Sequence, residues 1–110
     1  MLLVTCDESG ARYMEAALAA EGIQTASVPD VVAASGLLRH VVPDLIVVGG
    51  WYDRDAVLAF VDHAGRQHWP TLVLTGSPDM RRRSIALGAL AAIAVPSLDA
   101  AIEAVHQQLK

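Results

Sequence analysis

Cys6 and Arg12 are separated by five residues, and the pair joins the end of an apolar run to the start of a helix-like segment. A thiol and a guanidinium beside a helix start are the residue types of an oxyanion cradle. In such a cradle, backbone amides and the arginine hold a phosphate at a helix N-terminus while a thiolate attacks. Asp7 and Glu8 would place carboxylates inside that cradle, so the plainer reading of Cys6 is a small buried residue at a strand end. The remaining chemistry-bearing residues are less organised. Thr75, Ser77 and Ser84 have no paired base recognisable in the sequence. His40, His63, His68 and His106 lack H-x-x-x-H or Cys-His ligand spacing, so no metal or cofactor is expected. Gly49-Gly50 is not part of a G-x-G-x-x-G or P-loop pattern and reads as a tight turn. Arg81-Arg82-Arg83 is the only charge cluster; a solvated face is its plainer reading, and a grip on an acidic partner surface is the functional one. Trp51 and Tyr52 form an aromatic pair in an expected loop, where they can roof a pocket or anchor a contact.

The elements that must position these residues follow from alternation. Five short apolar runs, Leu2 to Thr5, Ile23 to Val28, Leu45 to Val48, Leu72 to Thr75 and Ala91 to Val95, are each followed by a helical pattern. This predicts an α/β fold with a doubly wound five-stranded parallel sheet and helices on both faces. The runs carry little polar alternation, which suits strands covered on both sides. Ser9 is expected to cap the first helix and Gly22 to end it. Asp30 caps the second. The third lies between Asp55 and Ala64 with Gly65 as its stop, and the fourth runs from near Pro78 to Gly88. Ser97 opens a fifth, with Leu98, Ala101, Ile102, Val105 and Leu109 on one stripe. No internal repeat or linker interrupts residues 1–110, which read as a single domain.

Spacing selects among flavodoxin-like folds. Pro43-Asp44-Leu45-Ile46-Val47-Val48 resembles the third strand of bacterial response-regulator receiver domains, Leu72-Val73-Leu74-Thr75 their fourth strand with its terminal hydroxyl, and Gly88-Ala89 the lead into their fifth. Val95-Pro96 falls on the register of the family's Lys-Pro pair. The resemblance spans nearly the whole chain and implies a CheY-like (βα)5 arrangement. It also implies a phosphorylation pocket made of Thr5, Cys6, Asp7, Gly49, Thr75, Ala92, Val95 and Pro96, from which most of the chemistry is gone. Gly49 stands where the family has its phosphoacceptor aspartate, Thr5-Cys6 where it has a metal-binding acidic pair, Val95 where it has lysine, and Ala92 where it has an aromatic switch residue. The segment following Gly49 is shorter than the family's usual loop. Aspartyl phosphorylation needs a carboxylate nucleophile and an oxygen-liganded cation, and glycine supplies neither. Only Thr75 persists, although Asp7 and Asp53 are carboxylates close enough in sequence to act as displaced acceptors. Separately, the Cys6 to Arg12 spacing is similar to the phosphate loop of low-molecular-weight tyrosine phosphatases and related arsenate reductases, with Tyr13 in place of the hydroxyl residue that usually follows the arginine.

Composition agrees with a binding role. A formal charge of −4 argues against a protein that covers nucleic-acid backbone, and the single cysteine forms no internal disulfide. No apolar run reaches the length needed to span a bilayer, so a cytoplasmic protein is expected. The expectation is a pseudo-receiver that is not an enzyme and acts by binding a protein partner or a second copy. The receiver resemblance implies that this happens through the fourth and fifth helices, with Arg81, Arg82 and Arg83 at the rim and Leu90 and Ala91 at the apolar centre. A thiol-dependent phosphatase or reductase using Cys6 and Arg12 is the alternative.

Overall fold

Each run of branched aliphatic residues gives way to a helix-starting signal, and the backbone alternates accordingly. The computed structural model describes residues 1–6, 8–49, 54–75, 77–93, 102, 103, 105 and 107. Its elements are β1 (Leu2–Val4), α1 (Glu8–Ala20), β2 (Ala26–Val28), α2 (Val31–Leu37), β3 (Ile46–Val48), α3 (Arg54–Arg66), β4 (Thr71–Leu74), α4 (Pro78–Ala86) and β5 (Ala91–Ile93). The strands form one parallel sheet in the order β2-β1-β3-β4-β5, the doubly wound arrangement expected. Ile102, Glu103, Val105 and Gln107 are helical, in keeping with the fifth helical stripe, whereas Ser97, Leu98, Ala101 and Leu109 lie outside the described residues. Among the described residues, no helix is long and apolar enough to cross a membrane.

Successive side chains of a strand point to opposite faces, and the core divides on that rule. Leu2, Val4, Ile46, Val48 and Val73 meet Ala34 and Leu38 near α2, Val57, Phe60 and Val61 of α3, and Met80 of α4. Leu3, Val47, Leu72 and Leu74 face the other way, onto Ala11, Met14 and Leu18 of α1 and onto Val105. Burying one such leucine or valine stabilises the fold by about 1.5–3 kcal/mol. The expectation of strands covered on both faces holds for β1, β3 and β4. It fails for β2, an exposed edge strand, and for β5, which is half-buried.

Helix ends explain the other departures. Gly22 adopts φ +80°, its amide donates to the Ala19 carbonyl, and the Ile23 amide donates to that of Leu18. This is the left-handed stop expected of Gly22. Ile23 is thereby committed to the helix end and to the α1-side core beside Leu18, so β2 begins at Ala26. Ser9 is not a cap. The helix has already begun at Glu8, whose carboxylate sits favourably at the positive end of the helix dipole. Gly65 is not a stop either, because α3 continues through Arg66 and is ended by His68 at φ +60°, with Trp69 N–H donating to the Ala64 carbonyl. Asp30 caps α2 as expected, accepting from the Ala33 amide at 2.8 Å.

Candidate functional site

In an open parallel sheet, the crevice above the carboxyl ends of the strands, where the strand order reverses, is the usual place for a ligand. Here the reversal falls between β1 and β3, and the ends of β1, β3 and β4 bring Thr5, Cys6, Gly49 and Thr75 to one edge. Gly49 is buried and extends the ladder, its amide donating to the Val4 carbonyl at 2.8 Å. A Cβ at Gly49 would lie 3.1 Å from Leu74 Cβ and 3.3 Å from its Cδ1, closer than side chains normally pack. The position therefore lacks a carboxylate and is also fitted to a residue without a side chain.

Thr75 is buried, and its amide donates to the Ile93 carbonyl at 2.9 Å. Its hydroxyl oxygen accepts from the Ser77 amide at 3.1 Å, which ties the end of β4 to the cap of α4. Ser77 in turn accepts from the Met80 amide at 3.3 Å and from Arg54 Nη2 at 3.1 Å. Arg54 is a residue that sequence reasoning missed. It begins α3 and reaches the α4 cap across the same edge of the sheet. Its position five residues after Gly49 was the available signal, but nothing local predicts a hydrogen bond to a residue 23 positions away. Asp7, Trp51, Tyr52, Asp53, Val95 and Pro96 lie outside the described residues.

The Cys6 to Arg12 spacing does not form a cradle. Helix α1 begins at Glu8, so four of the five intervening residues are already helical rather than looped around an anion. Arg12 is exposed and makes no hydrogen bond or ion pair among the described residues, while Cys6 is half-buried. The geometry gives no support to thiol-dependent phosphatase or reductase chemistry.

On the α4 side, Arg81, Arg82 and Arg83 are all exposed. Asp79 accepts from Arg83 Nε at 3.0 Å and stands 3.8 Å from Arg82 Nη2, whereas Arg81 has no ion pair among the described residues. Beside them runs an open cleft of about 630 Å³ lined by Pro78, Arg81, Arg82, Ile85, Ala86 and Ala92. Ala92, expected in the pocket at the strand ends, instead pairs with Val73 within the sheet and floors this cleft. Ala91 and Leu90, expected together at the centre of the α4 surface, are separated. Ala91 turns to the α1-side core because strand neighbours alternate, and Leu90 precedes the strand with half its surface exposed.

No protein-family model matches the sequence, and no curated protein matches it. Solved structures do match its fold. The receiver domain of the Francisella response regulator 1452 superposes with a TM-score of 0.84 at 20% identity, covering 97% of this chain and 93% of its own. The orphan response regulator HP1043 of H. pylori gives 0.86 at 22% identity, covering 99% and 94%. The beryllofluoride-activated NtrC4 receiver domain, solved as a dimer, gives 0.80 at 20% identity, covering 99% and 97%. The chain has the receiver-domain fold.

Proposed function

We propose that this chain is a regulatory interaction module of receiver type that works without aspartyl phosphorylation. The observation that carries the reading is the end of β3, where Gly49 supplies no nucleophile and Leu74 crowds the place a Cβ would take. A receiver that cannot take a phosphoryl group has no such trigger with which to shift between conformations, so it presents one surface constantly. Output then passes through contact with another polypeptide on the α4–β5 side, where the exposed arginines and the cleft over Ala92 lie. Either a second copy or a different protein would serve this role. The module needs no cofactor and touches neither nucleic acid nor membrane, and its place is the cytoplasm, as its acidic composition and lack of long apolar runs support.

Intact mass after incubation with acetyl phosphate and magnesium tests the reading. The expected result is an unchanged mass. A gain of one phosphoryl group that disappears on Asp7→Asn or Asp53→Asn would replace it with phosphorylation at a displaced acceptor.

A further inference from the structure

We infer that the cleft along α4 is a docking slot for an acidic segment of a different protein, which lays an apolar side chain over Ala92 and sets a carboxylate against Arg81. The inference rests on the reading above, that the chain acts by binding, and it names the chemistry of what is bound.

The floor and one wall of the cleft are apolar, made by Ala92, Ala86, Pro78 and Ile85, and Ile85 remains 48% exposed. The small Ala92 leaves room that a larger residue at this position would occupy. Arg81 and Ile85 are four residues apart on α4 and so flank the same stretch of cleft. Among the described residues, the ion pairs of this arginine cluster all go to one carboxylate, that of Asp79, which engages Arg83 and, loosely, Arg82. Arg81 is left as positive charge at the lip of an apolar slot. A segment that fills the slot gains by burying apolar surface and by pairing a carboxylate with Arg81.

The same charge argues against a second copy as the occupant. Two-fold pairing would place this patch against itself, bringing Arg81 and Arg82 of one chain towards the arginines of the other, with Asp79 already engaged. The apolar floor argues against a polyanion, which would use the arginines and leave Ile85 and Ala92 unfilled.

The test titrates the isotopically labelled full chain with a short acetylated helical peptide carrying glutamates on both sides of a central leucine and phenylalanine. Saturable amide shifts confined to α4 and β5 are expected. Exchanging the glutamates for glutamine should weaken binding several-fold, and Arg81→Ser should weaken it similarly and flatten its salt dependence. Ala92→Phe fills the slot and should abolish binding. Ile85→Ser, on the exposed rim, gives the same reading with no large group placed in the sheet. Equal binding of the glutamine peptide, shifts elsewhere or no shifts would overturn the inference. So would a dimer in light scattering that is lost in Ala92→Phe, or tighter binding of a DNA duplex to the same amides. Phosphoryl transfer detected by mass would instead remove the proposed function while leaving the charge preference of the cleft intact.

Discussion

Gly65 and Gly88 face each other at van der Waals distance where the end of α3 crosses the turn between α4 and β5. A Cβ on Gly65 would stand 2.4 Å from the Leu87 carbonyl oxygen and 3.4 Å from Gly88 Cα, and a Cβ on Gly88 would stand 3.2 Å from Gly65 Cα. Gly88 carries the further requirement of φ +112°. The end of α3 and the turn that leads from α4 into β5 are thus held together by backbone contact that only glycine permits.

Gly65→Ala must displace backbone rather than a flexible side chain. Overpacking of this kind costs about 1–3 kcal/mol, against less than about 1 kcal/mol that the better helix propensity of alanine returns at a helix end. Urea denaturation should show the loss as a lower midpoint at unchanged slope. A midpoint equal to that of the native chain would mean that α3 and the turn separate freely.

His68 ends α3 in the left-handed region that glycine occupies at Gly22 in the matching position. A side chain there is disfavoured by about 1 kcal/mol, and His68 is exposed, so little packing is lost by removing the imidazole. His68→Gly should raise the thermal midpoint. A drop would show that the imidazole has a role its exposure hides.

Ser84 is fully buried on the inner side of α4, and its hydroxyl has no hydrogen-bond partner among the described residues. Leaving a buried polar group unsatisfied costs about 1–3 kcal/mol, and alanine is also the better helix former. Ser84→Ala should therefore stabilise the protein by about 1 kcal/mol, read from chemical denaturation. A destabilised variant would indicate that the hydroxyl is satisfied in solution.

Sequence reasoning located the strands and their parallel sheet because the alternation of apolar runs with helical patterns is a short-range signal, whereas the reading of the end of β3 came from the resemblance to receivers. Its errors arose where one residue served two elements or where a neighbour distant in sequence decided the outcome. Ile23 is apolar and β-branched, and only its bond to the Leu18 carbonyl shows that it closes α1 rather than opening β2. Gly65 looked like a stop, since glycine commonly ends helices, whereas its reason for being glycine lies in Leu87 and Gly88. Ala91 and Ala92 are chemically identical, so the side of the sheet each serves follows from register alone, and that register placed the apolar centre of the α4 face at Ala92. Arg54 was invisible for a similar reason, as its partner Ser77 is brought near only by the sheet.

The same dependence on distant neighbours makes Gly49 the most informative position to change. Gly49→Asp would restore the missing carboxylate, but its Cβ would sit 3.1 Å from Leu74 Cβ, so Leu74 must shift within a packed core. The expected cost is about 1–3 kcal/mol. Leu74→Ala alone should cost about 2–5 kcal/mol by opening a cavity. The double variant should lose less than the sum of the two, with a coupling of at least about 0.5 kcal/mol, because removing Leu74 makes the room that the new carboxylate needs. Urea denaturation of the four proteins measures this directly, and additive losses would remove Leu74 as the reason for glycine. Even with room made, the carboxylate should not accept phosphate from acetyl phosphate. The end of β1 offers Thr5 and Cys6 in place of an acidic pair, so the oxygen ligands of the cation are missing. Phosphorylation of the double variant would show that Asp7 and Glu8 can still hold the cation, and that a single crowded glycine had silenced an otherwise working site.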